Sequence, residues 1–111
     1  AGARRAAAEA LTARAELDLA RLRTEGELRG LHRQTERLTA AAADYRAQAG
    51  AAAPELLRIA EAAWQGGEST LLELLDAYRG ALDTETTALD LEWQARAARI
   101  DYDLLTGSTP E

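Results

Sequence analysis

Between Thr24 and Ala63, small and apolar residues return at alternating intervals of four and three. They are Thr24, Leu28, Leu31, Thr35, Leu38, Ala42, Tyr45, Ala49, Ala52, Leu56, Ile59 and Ala63. A seven-residue repeat of this kind puts one face of a long helix against a neighbouring helix. Gly66 and Gly67 then interrupt the pattern, and glycine ends helices because it accepts the left-handed conformation just past the last turn. Beyond them, Thr70-Leu71-Leu72-Glu73 forms a capping box, with Thr70 as the cap and Glu73 reaching back. A second apolar run continues to Leu105 and stops at Thr106-Gly107, with Pro110 beyond. The sequence therefore predicts an all-α chain: a long antiparallel helical hairpin of coiled-coil type in one domain, residues 1–111. Helices run over about residues 3–65 and 70–106, and the tip turn over 66–69.

Composition agrees. Ala (27) and Leu (18), with Glu and Arg, make up 70 of the 111 residues, while Val, Phe, Met, Cys and Lys are absent. Such a mixture belongs to long helices, and two Ile without Val or Phe leave little to build a sheet from. Without Cys there is no disulfide framework, thiolate metal site or cysteine nucleophile. Without Lys there is no Schiff-base or phosphate-loop lysine. The net charge of −6 argues against a nucleic-acid partner. Residues 1–60 hold 10 Arg against 8 acids, and residues 61–111 hold 3 against 11, so the two segments lie in different electrostatic settings. No apolar run approaches the ~18 residues of a membrane span, and no signal peptide opens the chain. The start at Ala1 rather than Met predicts a processed protein or an excised fragment.

Pro54 is the one conflict inside the first helix. A mid-helix proline loses a hydrogen bond and crowds the carbonyl four residues back, here that of Gly50. The seam continues from Ala49 and Ala52 to Leu56 and Ile59 without a change of phase, which predicts a bend. The alternative is a break near Gly50, giving a three-helix bundle.

The second helix has two apolar stripes. Leu71, Leu75, Tyr78, Leu82, Leu89, Trp93, Ala97, Ile100 and Leu104 are predicted to face the first helix. In that register Leu71 meets Ala63, Leu75 meets Ile59, Tyr78 meets Leu56, Leu89 meets Tyr45 and Leu104 meets Leu31. The second stripe is Leu74, Ala77, Ala81, Thr84, Ala88, Leu91, Ala95, Ala98, Tyr102 and Leu105. Its small residues are expected to admit a further helix at close range. At 1.5 Å per residue the first helix is roughly 95 Å long and the second roughly 55 Å. Residues 1–28 then overhang, leaving Leu11, Leu17, Leu19 and Leu22 uncovered. Such a chain is expected to oligomerise or to come from a larger assembly.

The stretch Ala63-Trp64-Gln65-Gly66-Gly67-Glu68-Ser69-Thr70-Leu71-Leu72-Glu73-Leu74-Leu75-Asp76-Ala77-Tyr78-Arg79 resembles the periplasmic tip of the TolC-like outer-membrane efflux proteins. Ala98-Arg99-Ile100-Asp101-Tyr102-Asp103-Leu104-Leu105-Thr106-Gly107 is similar to the close of that family's returning helix. The pattern is nearest to the heavy-metal cation exporters. The resemblance implies a periplasmic hairpin of a Gram-negative outer-membrane protein, trimeric at full length, with membrane contact through a β-barrel this chain lacks. It also implies a tripartite partnership with a periplasmic adaptor and an inner-membrane pump of the RND type. Trp64, Gly66, Gly67, Glu68, Ser69 and Thr70 match the adaptor-facing tip, and Glu73 and Asp76 match the acids that narrow the aperture. The polar face of Glu73, Asp76, Asp83, Thr87, Asp90, Gln94 and Asp101 would line the lumen.

Plainer readings stand beside these. Glu73 is a capping-box residue, and both it and Asp76 are favoured near a helix N-terminus by the dipole. The Gly-Gly-Glu-Ser turn serves equally as a simple connection. His32 lies beside Arg29, Arg33 and Glu36 and has no second His, so a solvated histidine is expected and no metal. Trp64 and Trp93 suit packing. No nucleophile, base and orienting group occur together, so neither catalysis nor a cofactor is expected. Two other functions remain open: the hairpin of a periplasmic adaptor, and a structural coiled-coil module dimerising into a four-helix bundle.

Overall fold

The computed structural model describes residues 2–107. Helix α1 runs Gly2–Tyr45, a π-helical turn follows at Arg46–Gly50, α2 runs Ala51–Gln65 and α3 returns over Leu71–Thr106. The chain is an all-α helical hairpin, with no strand among the described residues. It measures 97 Å along its principal axis, with a radius of gyration of 26.4 Å, against about 13 Å for a compact domain of this size. These dimensions leave no room for a three-helix bundle. Residues 2–25 extend beyond α3 and are exposed throughout, Leu11, Leu17, Leu19 and Leu22 included.

Pro54 neither breaks the helix nor leaves its phase intact, and the expectation of an unshifted seam is corrected here. The π turn ends at Gly50, whose carbonyl the N–H-less Pro54 cannot serve, so the two irregularities coincide. One extra residue in the turn rotates everything after it. Leu28, Leu31, Thr35, Leu38, Ala42, Tyr45 and Ala49 face α3 as the heptads require. Beyond the turn, Ala53, Leu57, Ala60 and Glu61 are half-buried while Ala52, Leu56 and Ile59 are exposed, and Ala63, the last residue of the expected seam, is half-buried as well.

The pairing of α3 is also the reverse of the sequence expectation. Leu74, Ala88 and Ala95 are buried, with Ala77, Ala81, Thr84, Leu91, Ala98 and Tyr102 half-buried between them. The small-residue stripe therefore meets the first helix, and Leu71, Leu75, Tyr78, Leu82, Leu89, Trp93, Ile100 and Leu104 are exposed. Small side chains on both helices let the backbones approach closely, which a Leu-on-Leu seam would prevent. Ala88 is 0% exposed, whereas Leu89, turned about 100° further round, is 53% exposed. Thr35, only 3% exposed, fits the seam because its hydroxyl donates to the Leu31 carbonyl at 2.9 Å and leaves no polar atom unmet.

This packing predicts opposite responses at adjacent positions. Ala88→Leu should overfill the seam and lower stability by ~1–3 kcal/mol. Leu89→Ala should change the dilute chain by less than about 0.5 kcal/mol. Urea unfolding followed by circular dichroism checks both.

Candidate functional site

The tip is built from backbone hydrogen bonds. Glu68 N–H donates to the Ala63 carbonyl at 2.8 Å and Gly67 N–H to that of Trp64 at 3.0 Å, a Schellman closure. Gly67 supplies the left-handed residue with φ of 74°. At Gly66 an added Cβ would stand 3.3 Å from the Ala62 carbonyl oxygen, so the chain passes close there. Thr70 is extended and its hydroxyl accepts the Glu73 N–H at 3.2 Å, capping α3. Among the described residues no bond returns from the Glu73 carboxylate, so only the first half of the capping box is made.

The candidate residues divide by exposure. Trp64 is 43% exposed, and Gly66, Gly67, Glu68 and Thr70 are open to solvent at the apex. Ser69 is half-buried, and its hydroxyl oxygen is shielded without a hydrogen-bond partner. Glu73 and Asp76 are both exposed, Glu73 turned about 100° and Asp76 about 160° round α3 from the buried Leu74, with Asp76 4.0 Å from Arg79. Asp83, Asp90 and Asp101 continue that side, and Gln94 donates to Asp90 at 2.8 Å. Asp83 is turned about 180° from Leu74. The acids therefore form a water-facing back, with the exposed leucine stripe between it and the seam.

Three cross-helix contacts went unread in the sequence. Arg46, at the start of the π turn, donates through Nε to Glu92 at 2.8 Å and through Nη1 to Glu85 at 2.6 Å. Those two carboxylates, Glu92 first, hold the guanidinium more firmly in its charged form. Their signal was present: a register pairing Tyr45 with Leu89 sets Arg46 between two Glu one heptad apart. Nearer the tip, the Tyr78 hydroxyl donates to Glu61 at 2.5 Å. At the far end the His32 and Tyr102 rings lie 5.3 Å apart, and His32 Nε2 is 3.0 Å from Glu36. Among the described residues no three His, Cys, Asp or Glu side chains gather as a metal site, and no helix is long and apolar enough to cross a membrane.

Compared with known proteins, the chain matches no family model, no curated protein and no solved structure.

The Tyr78 bond carries a pH signature. Hydrogen bonding to the Glu61 carboxylate, with some desolvation, pushes the phenol above its ordinary value. The neutral phenol is thus favoured in the folded hairpin. That contribution is complete below the unfolded value of about 10 and is lost as pH rises through the higher folded value. Urea unfolding at pH 8 and at stepwise higher pH should show an alkaline fall in stability that is smaller in Tyr78→Phe.

Proposed function

We propose that the chain is a wall hairpin of a passive export duct of the TolC-like type. The tip, from Trp64 to Thr70, docks on a periplasmic adaptor, through which an inner-membrane pump of the RND class delivers the exported solute. Like hairpins meet along the leucine stripe, giving a trimer in the full-length outer-membrane protein, and the acidic back of α3 faces the water-filled passage.

The observation that carries this reading is the division of α3 into three faces. Its small-residue face is covered by the first helix, its Leu and Trp stripe is exposed, and its acids are exposed on the back. A helix in a barrel wall has a neighbour on each side and water on the remaining side, and needs those three surfaces. The overhang of residues 2–25 supports the same reading, since a larger assembly would cover its leucines. A carboxylate-lined passage concentrates cations, which favours metal cations as the exported class. Family, trimer and location rest on the likeness of the tip and returning helix to that group.

Two measurements on the full-length duct test the reading. Replacing Gly66–Ser69 with a generic loop should abolish export while the protein still assembles; retained export would leave a structural coiled-coil module as the better account. Neutralising Glu73 and Asp76 together should raise ion conductance in planar bilayers several-fold by loosening the aperture, and unchanged conductance would remove their gating role.

A further inference from the structure

The heptads and the observed packing part company at the π turn. From Leu28 through Ala49 the same residues face α3 in both. Beyond it, unbroken spacing leads through Ala52, Leu56 and Ile59 to Ala63, yet Leu56 is 63% and Ile59 56% exposed. The half-buried apolar residues between Ala51 and Ala62 are Ala53, Leu57 and Ala60, and Ala63 is half-buried at the end of the unbroken spacing. Both sets are apolar stripes of helical spacing, and each contains a leucine. The turn Arg46–Gly50 selects between them, because a π turn absorbs one residue more than an α turn. Room for the other choice is present. A groove of about 340 Å³ runs beside the seam, with Ala77, Gly80, Ala81 and Thr84 on one wall and Leu56 on the other. Rotating α2 by the ~100° of one residue carries Leu56 over those small side chains.

The bonds holding the observed choice start from the same turn. Arg46 reaches Glu85 and Glu92 across the hairpin. Its side chain lies over Gly50, where an added Cβ would stand 3.2 Å from the Arg46 Cδ. Gly50 thus leaves space for the arm that ties the turn to α3.

We propose that the π turn is a register switch in the hairpin. In one state Arg46 holds the turn against Glu85 and Glu92, and Ala53, Leu57 and Ala60 pack on α3. In the other the turn winds as ordinary α-helix, α2 rotates by one residue, and Ala52, Leu56 and Ile59 take their place. The rotation carries Glu61 away from Tyr78 and re-aims Trp64 at the apex. A discrete step between two packings is how a packed helix pair passes a change along its length. The switch belongs to the hairpin itself and holds whether or not the hairpin lines a duct.

The chain has no cysteine, so single cysteines report the register by thiol labelling. In the otherwise native chain Ala60→Cys should label slowly and Ile59→Cys rapidly. Adding Glu85→Gln with Glu92→Gln should reverse the order, each rate moving about tenfold in opposite directions as the population shifts. An unchanged pattern overturns the switch, and so does rapid labelling at both positions with helicity retained, which is fraying. Deleting Ala47 gives a second check that does not need the clamp broken. One residue fewer lets the observed packing fit an unbroken α-helix, so Ala60→Cys should stay slow even with both Gln substitutions. Rapid labelling of Ala60→Cys in the folded deletion variant would show that the π turn does not set the register, and the switch would fall.

Discussion

Close approach of small side chains along one seam is the constraint on which the hairpin rests. Ala42, Ala88 and Ala95, with Thr35 bonded to its own helix, allow α1 and α3 to run side by side. An alanine seam removes little apolar area from water per residue. The contact therefore needs length, and along α3 it runs from Leu74 to Tyr102. It also needs something besides area to fix how the helices are turned. Arg46 between Glu85 and Glu92, and Tyr78 on Glu61, bind one flank of the seam and set that rotation.

With rotation set this way, the larger side chains of α3 are left outside. Leu75, Leu82 and Leu89 each follow a seam residue by one position and so project about 100° from the contact. The acids follow on the far side. One helix thus carries a close-packed contact, an apolar flank and a charged back between Leu74 and Tyr102. The tip is a different kind of structure. It is held by backbone bonds and the Thr70 hydroxyl, and Glu68 stands exposed at its apex.

Features decided by neighbouring residues were legible in advance. The helix end at Gly66-Gly67, the Thr70 cap, the stop at Gly107 and the unequal helix lengths each depend on a few adjacent positions. Which stripe of α3 would be covered was not legible, because the leucine and alanine stripes repeat at the same interval and periodicity cannot rank them. The π turn was hidden for a related reason: Leu56 and Leu57 are neighbours, so the apolar pattern reads through Pro54 in either phase. The Arg46 clamp lay within reach of the register, since Glu85 and Glu92 flank the position it faces. The reading of Trp64, Glu68, Glu73 and Asp76 as tip residues of a known kind rested on a resemblance, which periodicity does not supply; all four are exposed.

By itself the sequence determined that this chain is two long helices with a turn at Gly66 and Gly67, because backbone conformation there is governed by local sterics, caps and repeat length. Only the tertiary structure decided which faces meet. That choice balances the closeness allowed by Ala against the area offered by Leu, and it is tipped by bonds between residues about forty positions apart. No local pattern contains that balance. It exists once the two helices lie together and Arg46 can reach across.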